Sequence, residues 1–257
     1  MTTDQTARGF GLPSEKRIGF DHPWAWLAAG ARDMKKSPHV SLSYGALFAA
    51  MGCLLTYGLY ELEAVYVALP LAAGFMLMGP LLAVGLYEVS RRHAAGEKVT
   101  LGAAFGAWRR DPGGVFALGF VLMLVFLLWI RIATLLFALF YGVGEFHAEA
   151  FVSETFFSFK TIWFLITGIG IGAVFATIVF SMSAIAFPMI VDRKSGATVA
   201  ILCSLRAVAH NWRPLVLWAG LIVAFSVAGL VVVYIGLIVT LPLIGHASYH
   251  AYRDLVE

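Results

Sequence analysis

Charge is what this sequence has least of. Asp, Glu, Lys and Arg supply 13% of its 257 residues, against about 25% in an ordinary soluble domain. Hydrophobic residues supply 60%. A soluble fold cannot bury that much apolar surface, so lipid must solvate part of it. Cysteine is almost absent. Cys53 falls in a candidate span and Cys203 in a candidate cytoplasmic segment. That placement argues against a disulfide, and no metal-ligand spacing occurs. The opening MTTDQTARGF has no cleavable-signal pattern, so the first span reads as an uncleaved signal anchor. No Ser-His-Asp set, paired intramembrane carboxylate or Cys-based arrangement can be picked out. No Asp or Glu lies well inside an apolar run, which argues against a proton relay and an intramembrane enzyme. The expectation is therefore a non-enzymatic protein with no cofactor and no nucleic-acid partner.

What is present is a series of apolar runs. A span needs roughly 20 mostly apolar residues. Residues 41–60, 65–89, 115–141 and 161–191 qualify, and only Arg131 interrupts the third. Residues 215–252 read either as one very long helix or as a tight hairpin turning near Gly229. Loop charge orients the spans. Arg91, Arg92, Lys98, Arg109 and Arg110 follow the second span, and Arg193, Lys194, Arg206 and Arg213 follow the fourth. Arg8, Lys16, Arg17, Arg32, Lys35 and Lys36 precede the first. The other loops carry Glu61 and Glu63, then Glu145, Glu149 and Glu154 against Lys160. The basic side is expected in the cytoplasm.

The segment from Pro80 through Tyr87 to Arg91 aligns without a gap with Pro242 through Tyr249 to Arg253. Pro188 to Arg193 is a looser third version. Each hairpin follows a semi-polar stretch, at 24–36, 100–110 and 198–212, and each stretch runs into Pro38, Pro112 or Pro214. The pattern predicts three copies of one unit, at about 23–92, 99–193 and 197–254. Each would hold a cytoplasmic interfacial helix, a span going out and a span returning with a proline in its inner half. The fold class is then all-α, a polytopic transmembrane helical bundle of six spans, with five spans as the alternative. A polar tail, 1–22, precedes a single transmembrane domain, 23–257. Both termini would be cytoplasmic, in a bacterial inner membrane. Trp24, Trp26, Trp108 and Trp212 would anchor the interfacial helices at headgroup depth. Pro80, Pro188 and Pro242 would kink the returning helices, because proline lacks an amide hydrogen and crowds the preceding turn.

Three segments carry a resemblance: WLAAGARDMKKSPHVSLSYGALFAAMG from Trp26, AAGFMLMGPLLAVGLYEVSRRHAAGE from Ala72, and LPLIGHASYHAYRDL from Leu241. They resemble a family of bacterial inner-membrane proteins known as a domain of unknown function, number 2189. Some of its members are labelled cytochrome c oxidase components. The resemblance implies at most an accessory role near a respiratory complex, since this sequence lacks the intramembrane histidines of a haem-copper catalytic subunit.

His246 and His250 lie four apart and share a helix face. Such a pair can hold a metal or one edge of a haem, with His210 on the same side. A polar helix end facing headgroups is the blander account and the expected one, so no metal is assigned. Glu145, His147 and Glu149 alternate like cation ligands but read as a solvated acidic loop. Gly168, Gly170 and Gly172 imitate a nucleotide loop, yet no strand precedes them. Close helix packing explains them better. Arg131 sits roughly 15 Å from the outer end of its span, with no acid at matching depth. It is assigned to partner or lipid contact, with snorkelling or internal hydrogen bonding as the alternative. The leading functional expectation is an accessory or scaffold subunit whose partners are membrane lipids and another integral membrane protein or complex. The alternative is a small-solute carrier or channel built from the three hairpins.

Overall fold

The computed structural model describes residues 16–64, 67–142 and 158–256. Among them all regular structure is helical, as the composition requires: in lipid a chain must satisfy its backbone polar groups within each segment. Helix α1, His22–Lys36, meets α2, Pro38–Glu61, at Ser37. Helices α3, Ala68–Leu82, and α4, Val84–Ala95, return. A short α5, Leu101–Phe105, and a 3-10 turn, Ala107–Arg110, lead into α6, Pro112–Tyr141. Next come α7, Phe159–Ser183, α8, Ala186–Arg193, and α9, Ala197–His210. A final pair, α10, Trp212–Val231, and α11, Leu237–Val256, completes the fold. The expected loop at Glu145, His147 and Glu149 lies outside the described residues.

Caps explain several starts. Pro38 and Pro112 occupy first-turn positions, where a missing N–H costs nothing. Asp111 caps α6 through Gly114 N and also accepts from Gly196 N, which ties α6 to the start of α9. The three semi-polar stretches are all helical, as α1, as α5 with its 3-10 turn, and as α9.

Five helices among the described residues are long and apolar enough to cross a membrane: Pro38–Glu61, Pro70–Ala95, Pro112–Tyr141, Phe159–Arg193 and Trp212–Val231. The last apolar stretch is a hairpin rather than one long helix. It turns at 232–236, just past Gly229. A Cβ built on Gly229 would lie 2.4 Å from Thr240 Oγ1, so only glycine lets α10 and α11 close there. Helix α11 is not among the five because it carries His246, Tyr249, His250, Tyr252, Arg253 and Asp254. Protein surrounds it instead of lipid. It packs against α1, α2, α4 and α10, and Ala247, Tyr252 and Leu255 are fully buried.

The deepest core lies at the basic end, where α4, α8 and α11 meet. Leu86, Phe187, Ile190, Ala247 and Tyr252 have no exposed surface. Each of these returning helices also packs on a semi-polar helix: α4 on α5, α8 on α9, and α11 back on α1. The first and last described segments meet, since Lys16 N donates to Leu255 O and Lys16 Nζ pairs with Asp254.

The prolines behave differently. The helix breaks at 184–185, four residues before Pro188, where its ring would crowd the Ala184 carbonyl. The break near Pro80 comes at Ala83, after it. Helix α11 runs through Pro242 without interruption.

A correction concerns tryptophan. Trp24, Trp108 and Trp212 are exposed, but Trp26 is only 3% exposed. It donates to Asp254 Oδ2 at 2.9 Å and meets the Trp218 ring edge-on at 5.5 Å. It locks α1 to α10 and α11 rather than facing lipid headgroups. Away from the basic end, the helices turn apolar side chains outward. Only 11% of the most apolar window of Phe159–Arg193 is buried, so its flank faces lipid or another protein.

Candidate functional site: a buried Asp-His-Ser cluster

Three helical spacings build one site. Asp33, Ser37 and Ser41 step by four along α1, the junction and α2. Ser90 and His93 step by three on α4, and His246 and His250 by four on α11. Each set therefore lies on one face of its helix. Small residues bring the faces together. A Cβ on Gly30 would lie 2.7 Å from Ala247 N and 2.8 Å from Leu243 O. One on Gly245 would lie 2.5 Å from the Leu86 side chain.

His246 is fully buried. Its Nε2 lies 2.9 Å from Ser41 Oγ and its Nδ1 lies 2.8 Å from Ser90 Oγ. Ser90 also bonds to Asp33. A carboxylate only accepts, so Ser90 donates to Asp33 and accepts from His246 Nδ1–H. Ser41 then donates to Nε2. The neutral imidazole uses both nitrogens and keeps no lone pair for a metal.

Asp33, 3% exposed, is the hub. His250 Nε2 donates to its Oδ2 at 2.8 Å, and Lys36 Nζ approaches its Oδ1 at 3.5 Å. His93 Nδ1 lies 3.5 Å from Asp33 Oδ1 and is buried without a hydrogen bond among the described residues, while its Nε2 meets Ser37 Oγ at 2.8 Å. Burial pushes the Asp33 carboxyl upward. Hydrogen bonds from His250 and Ser90 and the nearby His250 charge outweigh it, so the group is held well below the usual carboxylate range.

The sequence offered no Ser-His-Asp set; the fold assembles one from residues as much as 217 positions apart. It differs from a nucleophilic triad in geometry. Ser41 and Ser90 both serve one imidazole, and Asp33 reaches that imidazole only through Ser90. The arrangement is a clamp across α1, α2, α4 and α11. Of the proposed ligand pair, His246 and His250 do share a face but take different partners, and His210 bonds its own helix at Arg206 O. Among the described residues, no three His, Cys, Asp or Glu side chains are grouped to hold a metal ion. Neither the exposed Cys53 nor the buried Cys203 is in a disulfide.

A second buried cluster lies beside the first. Glu88, 1% exposed, accepts from Arg91 Nε at 2.8 Å, from Arg91 Nη2 at 3.0 Å and from Arg92 Nε at 2.6 Å. Arg91 continues to Glu97, and Arg110 binds Val191 O. Much of the positive charge that orients the chain is thus used inside the fold. Asp192 similarly accepts from Tyr252 at 2.9 Å, and Arg193 donates to the same tyrosine oxygen at 2.9 Å.

Gly168, Gly170 and Gly172 sit in α7, where a Cβ on Gly168 would meet Leu136 of α6 at 3.5 Å. A Cβ on Gly172 would approach only Trp129, at 3.3 Å, and one on Gly170 nothing within 4 Å. They form no phosphate loop.

Residues 68–192 match the family described as "predicted integral membrane protein (DUF2189)". This is the unknown-function family that the sequence resembles, and the matched segment runs from α3 into α8. The chain matches no curated protein and no solved structure.

Proposed function

From a helical integral membrane protein whose family description assigns no activity, we propose a non-enzymatic accessory or scaffold subunit of a bacterial inner-membrane complex. A respiratory terminal oxidase is the complex to test first. The observation that carries this reading is Arg131. It is exposed on α6, on the same stripe as exposed Leu124, Leu127, Leu128 and Leu135. Its Cα lies roughly 15 Å below the Tyr141 end of that helix. An arginine at such depth costs at least about 2.5 kcal/mol on the insertion scale. Snorkelling is hampered because helical side chains lean toward the N-terminus, away from the nearer surface. An acceptor on a neighbouring protein or lipid would offset the cost.

Arg131→Leu is then expected to leave the protein inserted and abundant. Partner recovered in mild-detergent purification, read by mass spectrometry, should fall about tenfold, the loss of one charged hydrogen bond. Recovery equal to wild type would remove Arg131 as the contact.

The same reading places both termini in the cytoplasm after six crossings. It is supported by the Lys16–Leu255 and Trp26–Asp254 bonds, which put the first and last described segments side by side. A reporter active only in the periplasm should be silent when fused after Glu257 and active when inserted near His147. A bright signal at the C-terminus would favour five spans.

A small-solute carrier is the second reading, favoured by the polar cluster that four helices share around Asp33. Apart from His93 Nδ1, that cluster satisfies itself within the chain, which favours the scaffold.

A further inference from the structure

A groove of about 660 Å³ opens between α2, α3, α5 and α6, away from the Asp33 cluster. Met78 and Leu81 form one wall, and Phe116, Gly119, Phe120 and Met123 the other. Tyr44 closes the back, stacked on Phe105 with ring centres 5.1 Å apart. Its hydroxyl donates to Leu82 O at 2.7 Å and so offers nothing polar to an occupant. Phe116, Phe120 and Met123 are largely exposed. The groove therefore opens sideways, toward lipid. Gly119 keeps it deep, because a Cβ there would already press the Leu81 methyls at 3.3 Å.

Its length and its mouth define the occupant. From Pro112, the first residue of α6, to Met123 the helix rises about 16 Å. One leaflet of a hydrocarbon core about 30 Å thick has nearly the same depth. Trp108 lies at the mouth with its ring exposed, at the position a membrane-interface aromatic takes. Arg109 stacks over that ring, 5.2 Å from its centre. Unlike Arg91, Arg92 and Arg110, it makes no ion pair among the described residues. An apolar slot one leaflet long, with an unpaired guanidinium at headgroup level, complements an anionic phospholipid.

We propose that this groove binds one anionic phospholipid of the leaflet at the basic end, an acyl chain lying between α3 and α6 and the phosphate on Arg109. The site is independent of Arg131 and of any protein partner.

The test is native mass spectrometry of the purified full chain, titrated with phosphatidylglycerol and with phosphatidylcholine of identical acyl chains. The wild type should retain one phosphatidylglycerol and bind it about tenfold more tightly than phosphatidylcholine. Arg109→Gln should bind the two lipids equally. Gly119→Leu fills the groove and should lose both. If that variant elutes as aggregate, Met123→Trp at the exposed deep end decides the point by the same loss. Inorganic phosphate at the same concentration should not displace the lipid. Equal wild-type binding of the two lipids, undiminished binding by the groove-filling variant, or displacement by phosphate would each overturn the assignment.

Discussion

Asp33→Ala is expected to lose about 3–5 kcal/mol of stability, the range for removing one partner from a buried charged pair. Asp33 gathers His250, Ser90 and Lys36 and faces His93. Its removal strands donors on three helices at once. At a few degrees per kcal/mol for a chain of this size, the thermal midpoint in detergent should fall by roughly 10 °C. Asp33→Asn keeps the shape and one acceptor, so it should lose less, about 1–3 kcal/mol. A midpoint unchanged in Asp33→Ala would sink the clamp.

The pH dependence has a definite sign. The folded carboxyl is held below its ordinary value of 3.8. Its contribution is therefore fully present above that value and is lost as pH falls toward the lower folded value. Wild-type stability from this group should be flat from neutral pH to about 5 and should drop below about 4. The Asp33→Asn protein should lack that component. An equal acid loss in both proteins would assign it to other carboxylates.

Gly45→Leu should be the most damaging single change in α2. A Cβ at Gly45 would lie 2.5 Å from Ile238 O, 2.8 Å from Ile238 Cα and 2.9 Å from its carbonyl carbon. All three atoms are backbone, so no rotamer change can relieve the clash. Pro242 adds a reason for the contact. It has no N–H to give the Ile238 carbonyl four residues earlier, and Gly45 lets α2 come close at that point. Even Gly45→Ala should cost about 1–3 kcal/mol, the usual penalty for overpacking. The larger leucine should prevent α11 from docking and abolish a monodisperse peak in size-exclusion chromatography. Gly58 is the control in the same helix, with nothing within 4 Å of its built Cβ. Gly58→Ala should be neutral or stabilising by up to about 1 kcal/mol, from helix propensity alone. Gly45 and Gly58 variants with equal melting would show that the α2–α11 approach is dispensable.

The helical membrane class was legible because it rests on composition and run length. Sixty per cent apolar residues in stretches of 20 or more admit no other way to satisfy the backbone. The semi-polar helices were legible from their Trp, Arg and closing prolines, since caps and first-turn proline are local properties. The His246–His250 spacing was visible for the same reason. Their partners were not. Periodicity reports which residues share a face of one helix, and says nothing about which face lies opposite it. Asp33, Ser41 and Ser90 became neighbours of those histidines only when Gly30 and Gly245 let α1 and α4 close on α11. Trp26 and Trp24, two residues apart, look alike in sequence. Two residues of helix, a rotation of about 200°, send Trp26 to Trp218 and Asp254 and leave Trp24 outside. Helix α11 shows the division most plainly. Hydropathy measures the solvent a helix would choose if it stood alone, and this helix is solvated by its neighbours. Its hydrogen-bonding partners come from segments up to 238 residues away, so its place in the bundle was decided by packing that no local pattern records.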